Sequence, residues 1–142
     1  MNLGGSGACS RAGIPVSNRL SRDQSDGPVR VTRMFDVSFA RRQMIEQQVR
    51  AWEVLDLKVL DVLSQVPREE FVPAGYREIA FADTWVPLAH GQCMLPPKVD
   101  GKILQALDIK PTDAVLDVGS GTGFLAACLS RMAARVRSVV LA

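Results

Sequence analysis

Hydrophobic positions at helical spacing start in the second quarter of the chain. Ile45, Val49 and Trp52 recur at i, i+4 and i+7, with arginine, glutamate and glutamine at the positions between them. This spacing predicts an amphipathic helix, and Asp36 or Ser38 is suited to cap its first turn because a short side-chain oxygen can accept from free backbone N–H groups.

A second helix is predicted immediately afterwards. One side of it carries four apolar residues, namely Val59, Leu60, Leu63 and Val66. Asp56 is placed to be its N-cap, and Pro67 ends it because proline cannot continue a helix. The two helices together predict an N-terminal helical layer.

The middle of the chain is broken by prolines and glycines. "PREEFVPAGYREIAFAD", residues 67–83, allows a short helix near residues 76–81, and "TWVPL" is extended. The stretch "HGQCMLPPK", residues 90–98, has the turn residues of a loop that precedes a helix. Pro96 or Pro97 is suited to the first helical turn. The apolar residues predicted for the core face of that helix are Val99, Ile103, Leu104 and Leu107.

The last thirty residues change to a strand–loop–helix–strand pattern. "AVLDV", residues 114–118, is a short apolar run typical of a buried strand, and "GSGTG" is a turn with three alternating glycines. "FLAACLSRM" is helical and "VRSVVLA" reads as a second strand. We therefore expect an α/β protein in which the helical layer is followed by the first βαβ unit of a Rossmann-like sheet, with the two strands parallel.

Composition limits the possible classes of protein. The chain has 142 residues, 47% of them hydrophobic and 23% charged, with a formal net charge of +2. These values are typical of one globular domain and give no argument for nucleic-acid binding. No apolar run approaches the roughly 20 residues of a membrane span, so we expect a cytoplasmic protein. The cysteines, Cys9, Cys93 and Cys128, fit neither a disulfide framework nor a zinc site, and we expect reduced thiols and no metal.

Residues 1–33 differ from the rest of the chain. They are rich in Gly, Ser and Arg, contain no aromatic residue and show no hydrophobic period, which predicts a disordered leader. An organelle-targeting peptide is a second interpretation, disfavoured by Asp23 and Asp26. A third interpretation, which we favour, is that translation starts at Met34, so that residues 34–142 are the folded domain.

The glycine loop predicts a ligand site. Glycine lets the backbone adopt positive φ and lets a ligand approach the amides closely. Asp117 stands at the end of an apolar strand, where an unpartnered carboxylate would be costly. The alternative is a strand-to-helix turn that is merely rich in glycine. A dinucleotide fingerprint, G-x-G-x-x-G, is disfavoured because its last glycine position is Phe124.

The pattern D-x-G-x-G-x-G resembles motif I of class I S-adenosylmethionine-dependent methyltransferases. Upstream of it stand "PREEFVP", "AFAD" and "PLAHGQ", and the motif itself lies within "LDIKPTDAVLDVGSGTGFLAA". These stretches occur in the order seen in protein-L-isoaspartate O-methyltransferases. The resemblance covers the chain from about Met34 onward. It implies an S-adenosylmethionine cofactor held by the motif I residues, which are Asp117, Gly119, Ser120, Gly121 and Gly123.

The same resemblance implies methyl transfer to the α-carboxylate of isoaspartyl residues in damaged proteins. In this family the loop after "HGQ" commonly reads T-I-S, and its hydroxyls lie beside the substrate. Those three positions here are Cys93, Met94 and Leu95, of which Leu95 has no donor and Cys93 has only a weak one. The residues that the resemblance assigns to the catalytic loop are Gln92, Cys93 and Leu95. We therefore expect weak activity or none. The alternatives are a catalytically silent methyltransferase-like binding protein and a non-functional fragment.

The C-terminal residues suggest an incomplete domain. Family members tend to have a glutamate after the second strand, where it would bind ribose hydroxyls, but Val140 stands here. The sequence ends at Ala142, whereas the family domain continues, so we expect a truncated or frameshifted product.

Four further residues have open roles. His90 is the only histidine, and we favour a structural role because nothing in the sequence completes a catalytic triad. Trp52 and Trp85 are expected in the core rather than at a ligand. Asp83 could cap the following loop or face the substrate.

Overall fold

The computed structural model describes residues 36–140 of the chain. The predictions for residues 1–33 and for a start at Met34 lie outside the described residues. Five α-helices are described, namely α1 (Val37–Met44), α2 (Leu57–Gln65), α3 (Arg68–Phe71), α4 (Pro97–Leu107) and α5 (Phe124–Ser130). Four strands are described, namely β1 (Val86–Pro87), β2 (Cys93–Met94), β3 (Ala114–Val118) and β4 (Arg135–Val139).

The first helical segment begins at Asp36, as its side chain predicts. Its Oδ1 accepts hydrogen bonds from the backbone N–H groups of Ser38 and Phe39 at 3.0 and 3.1 Å. Helix α1 continues through a π-helical turn, Ile45–Val49, and a 3-10 turn, Arg50–Trp52. The segment ends at Glu53, which adopts a left-handed conformation with φ 61°.

Helix α2 confirms the second predicted helix. Asp56 caps it by accepting from the N–H of Lys58 at 2.8 Å, and the helix ends at Gln65, before Pro67. Val59 and Leu63 are fully buried on its inner side. Local sequence signals therefore set both ends of this helix.

Helix α4 holds the helical layer together. Its Gly101 lies so close to the layer that an added Cβ would stand 3.0 Å from Val49 Cγ1 and 3.3 Å from Val54 Cγ2. One turn later, the Gln105 amide accepts from the N–H groups of Leu55 and Asp56 and donates to the Glu53 carbonyl. A glycine contact and a side-chain clamp thus fix α4 against the end of the first helical segment.

Between the helical layer and α4 the chain makes short elements. The predicted helix near residues 76–81 is a 3-10 helix, Ala74–Ile79. The extended "TWVPL" contributes β1, which pairs antiparallel with β2 so that Val86 faces Met94 and Pro87 faces Cys93. This pairing closes the loop that contains "HGQ".

Strands β3 and β4 are parallel neighbours joined by α5. Ala114 pairs with Arg135 and Val118 with Val139, so the register is continuous over five residues. Parallel strands with a helical crossover form the βαβ unit of doubly wound sheets. The predicted α/β fold, a helical layer followed by one βαβ unit, is confirmed.

Three expectations about burial are wrong. Trp52 and Trp85 were expected in the core, but they are 49% and 51% exposed. Strand β3 was expected to be buried, yet Leu116 is 64% exposed, because alternate residues point away from α5 and no other described element covers that face. In α4, Leu107 is exposed while Asp100 and Gly101 are buried, so the buried face of the helix is rotated from the predicted one.

One hydrophobic core joins the helical layer to α4 and α5. Its most deeply buried members include Met44, Val49, Leu63, Leu104 and Leu129. Within residues 36–140, no helix is long and apolar enough to cross a membrane.

Candidate active site

A cleft of about 160 Å³ lies between the loop before α4 and the glycine loop. Its walls are formed by Cys93, Met94, Leu95, Asp100, Asp117, Gly119, Ser120, Gly121, Thr122, Phe124 and Leu125. Ligand pockets for whole drug-sized molecules usually measure ~300–1,000 Å³, so this cleft is sized for one end of a ligand.

The glycine loop needs its glycines for backbone conformation. Gly119, Gly121 and Gly123 have φ values of 82°, 55° and 83°, a region that other residues rarely adopt. The loop is fixed to the end of β4, because the N–H groups of Gly119 and Ser120 donate to the Val139 carbonyl at 2.8 and 3.4 Å. The loop is therefore held in one conformation at the carboxyl ends of both strands.

Asp117 lies at the cleft wall, half-buried near the end of β3. Its Oδ2 accepts a hydrogen bond at 3.1 Å from the hydroxyl of Ser138, its register partner on β4. The sequence predicts a hydrogen-bonding partner for this carboxylate, and Ser138 on the neighbouring strand is one such partner. Its remaining acceptor capacity is available to a cationic or hydrogen-bonding ligand.

The loop that carries Cys93 and Leu95 forms the opposite wall. Met94 is buried and pairs with Val86, whereas Cys93 and Leu95 are half-buried and line the cleft. Neither Met94 nor Leu95 offers a side-chain donor. This wall is therefore largely apolar.

A buried ion pair lies behind the cleft, between Arg68 at the start of α3 and Asp100 in α4. Arg68 Nη1 stands 2.6 Å from Asp100 Oδ2, and the two side chains are 1% and 3% exposed. Burial raises the pKa of Asp100 to about 6, an effect that the neighbouring guanidinium opposes. Burial also raises the pKa of the nearby Cys128 thiol to about 12, with the negative charge of Asp100 adding to the effect.

The structure brings most of the predicted site residues together. Six of them line the cleft, namely Cys93, Leu95, Asp117, Gly119, Ser120 and Gly121. Gln92 and Gly123 do not line it; Gln92 is exposed and Gly123 caps α5.

Sequence reasoning missed Asp100 and Phe124 as cleft residues. Asp100 could have been found from the sequence, because it lies one helical turn before the core residue Leu104 and a carboxylate on that side of the helix needs a partner. Phe124 had been considered only as a departure from a dinucleotide motif. It is 2% exposed, and its ring packs edge-on against Phe71 with centroids 5.7 Å apart.

The other singled-out residues lie away from the cleft walls. His90 is exposed in a turn with φ 57°. Asp83 accepts a hydrogen bond from Lys98 Nζ at 2.7 Å, and this ammonium also lies 4.0 Å from the Trp52 ring centroid. Cys128 is buried. Among residues 36–140, no three His, Cys, Asp or Glu side chains cluster to hold a metal.

A parallel βαβ unit whose glycine loop follows an acidic strand end defines a Rossmann-like, class I methyltransferase type of fold. Residues 40–141 match the sequence model of the family described as Protein-L-isoaspartate(D-aspartate) O-methyltransferase (PCMT). The chain therefore belongs to this family.

Curated relatives agree with the family match. The Protein-L-isoaspartate O-methyltransferase of Roseiflexus sp. (strain RS-1) is 41% identical over 104 residues, which cover 73% of this chain and 47% of the relative. The enzyme of the same name from Aeropyrum pernix is 43% identical over 93 residues, covering 66% of this chain and 36% of the relative. The chain thus spans less than half the length of these relatives.

A solved structure is also similar. It is described as a protein-L-isoaspartate O-methyltransferase from Plasmodium falciparum in complex with S-adenosyl-L-homocysteine. It superposes with a TM-score of 0.55 at 26% identity, over 65% of this chain and 41% of that one.

Proposed function

We propose that residues 36–140 form the N-terminal part of a methyltransferase domain that transfers a methyl group from S-adenosylmethionine to the α-carboxylate of isoaspartyl residues. The observation that carries the proposal is that the glycine loop and the loop of residues 93–95 face each other across one cleft. A cofactor loop and a substrate loop must meet in this way for direct transfer between two bound reactants.

The charges of the cleft suit the methionine end of the cofactor. Asp100 and Asp117 both line it, and no Lys, Arg or His of the described residues does. Because Arg68 is paired with Asp100, Asp117 is the carboxylate left to attract a cationic group. An ammonium group beside Asp117, with the rest of the methionine end along Gly119 to Gly121, is consistent with these residues.

The bound cofactor would supply a methyl group made electrophilic by its attachment to a positively charged sulfur. The substrate carboxylate is already ionised at neutral pH, since ordinary carboxyl pKa values are near 4. The protein therefore needs no strong general base. It needs to hold the carboxylate close to the methyl group and in line with it, and to exclude water.

The loop of residues 93–95 is poorly equipped for that orienting task. Family members commonly place hydroxyl groups at the positions of Cys93 and Leu95, and hydroxyls donate strong hydrogen bonds to a carboxylate. Here a weak thiol donor and an aliphatic side chain take their places. We propose that this chain is a slow enzyme for this reason, acting on isoaspartyl-containing proteins in the cytoplasm.

The test compares the chain with its Cys93→Thr, Leu95→Ser double variant. Transfer of labelled methyl from S-adenosylmethionine to an isoaspartyl peptide is measured, with the matching aspartyl peptide as the control substrate. Removing a positioned donor costs about 2.7–4 kcal/mol in oxyanion-type sites, which is an upper guide to the effect.

We expect slow, isoaspartyl-dependent labelling by the parent. The double variant should gain at least about tenfold in rate, while its affinity for S-adenosyl-L-homocysteine stays unchanged. Equal labelling of the two peptides, no labelling by either chain, or no gain in the variant would each contradict the proposal.

A further inference from the structure

A single guanidinium behind the cleft contacts four separate parts of the chain. Arg68 Nε donates to the Ala80 carbonyl at 2.9 Å, Nη1 donates to Asp100 at 2.6 Å, and Nη2 donates to the Leu95 carbonyl. The guanidinium carbon also lies 4.7 Å from the centroid of the Phe124 ring. These partners lie 12 to 56 residues away along the chain, so local sequence does not set the arrangement.

Two of these contacts reach opposite walls of the cleft. Leu95 belongs to the substrate-side loop, and Phe124 is the first residue of the helix that follows the glycine loop. Because the guanidinium is planar and rigid, fixing its orientation on Asp100 also fixes where the Leu95 carbonyl and the Phe124 ring can lie. The distance between the two walls is therefore tied to one side chain.

We propose that Arg68 is a positioning residue that sets the separation and orientation of the residue 93–95 loop and the glycine-loop helix. Its consequence for methyl transfer rests on the proposed function. The effect of Arg68 on the separation of the two walls does not depend on the proposed function, because it can be measured without any ligand.

A general stabilising role is the competing explanation. Buried ion pairs often contribute little net stability relative to well-packed apolar groups, since removing both charges from water is costly. Substituting both members of the pair with apolar residues should therefore preserve the fold while it removes the anchor of the Leu95 carbonyl. If Arg68 only stabilised the fold, its substitution would not increase the mobility of the two cleft walls more than that of the rest of the protein.

The test uses Arg68→Lys and the double variant Arg68→Met, Asp100→Leu. An ammonium keeps the charge but lacks the fork that reaches several acceptors at once. Arg41→Lys is the matched control, because Arg41 also pairs with a carboxylate, Glu69 at 2.6 Å, and also faces a ring, Phe81 at 5.9 Å, but has no described contact with either wall.

Amide hydrogen exchange is measured in each variant, together with the denaturation midpoint and the affinity for S-adenosyl-L-homocysteine. In both Arg68 variants we expect exchange at residues 93–95 and 119–125 to rise by about tenfold or more relative to helix α2, which reports global opening. Ligand affinity should fall by about tenfold in these variants, and the Arg41→Lys control should change neither.

A uniform rise in exchange across the protein would overturn the proposal, and so would the failure of both Arg68 variants to fold. If the parent binds no S-adenosyl-L-homocysteine, the proposed function fails, but the exchange comparison still decides the role of Arg68.

Discussion

Asp100 places a carboxylate in the protein interior, where burial raises its pKa from 3.8 to about 6 against the opposing influence of Arg68. A group whose pKa is higher in the folded than in the unfolded state stabilises the fold at low pH. That contribution is fully present below the unfolded pKa, near 3.8, and is lost as pH rises through about 6.

The first prediction is therefore that acidification from about pH 7 to pH 4.5 increases the Asp100-dependent part of the unfolding free energy, by about 1–3 kcal/mol. Denaturant unfolding across this range measures it. Asp100→Asn stays neutral at every pH, as the protonated carboxyl does, so it should lack this part of the pH dependence. Parallel pH profiles for parent and variant would show that Asp100 does not titrate in this window.

At the scale of elements, helix α4 is attached to the helical layer through Gln105. Its amide hydrogen-bonds three backbone groups, the N–H groups of Leu55 and Asp56 and the carbonyl of Glu53. These groups lie just after the first helical segment, where helix termini leave backbone groups unpaired. One side chain thus stabilises the connection between two helices and the orientation of α4.

Replacing this clamp should be costly. We predict that Gln105→Ala lowers the unfolding free energy by about 1–2 kcal/mol, because partly exposed backbone groups regain only some of their hydrogen bonds from water. Chemical denaturation measures the change. The exposed Gln47, replaced by alanine, serves as the control and should change stability by less than about 0.5 kcal/mol. Equal effects of the two substitutions would show that the Gln105 hydrogen bonds do not stabilise the protein.

Sequence predicts the elements best where the determining contact is local. Asp36 and Asp56 could be recognised as caps because each accepts from N–H groups two or three residues ahead. The parallel βαβ unit followed from the same kind of local pattern, an apolar run, a glycine turn and a helix.

Contacts between distant residues could not be predicted in this way. Arg68 finds Asp100 across 32 residues, and nothing near either residue in the sequence indicates the pair. Trp52 was assigned to the core from its helical spacing, but it follows the last buried turn and faces Lys98 instead. The exposure of Leu116 depends on which elements cover the sheet, and this cannot be predicted from residues 114–118 alone.

At the scale of the whole molecule, the helical layer serves to position one wall of the cleft and the βαβ unit supplies the other. Helix α3 follows the layer directly and carries Arg68, which contacts Leu95 on one wall and Phe124 on the other. The glycine loop is held from the opposite side by the end of β4. The central claim is that this cleft receives the methionine end of an S-adenosylmethionine-type ligand.

Titration of the chain with S-adenosyl-L-homocysteine, followed by amide chemical shifts, tests that claim most directly. We predict shifts at residues 93–95 and 117–125. The dissociation constant should lie well above the low-micromolar range, toward millimolar, because Val140 gives no carboxylate for the ribose and each lost charged hydrogen bond costs about 1.5–3 kcal/mol. Asp117→Asn should weaken binding by about tenfold, since a charge-assisted contact is lost. Asp113→Asn, immediately before the first residue of the same strand, should not change it. Shifts elsewhere in the protein, low-micromolar affinity, or equal effects of the two substitutions would contradict the account.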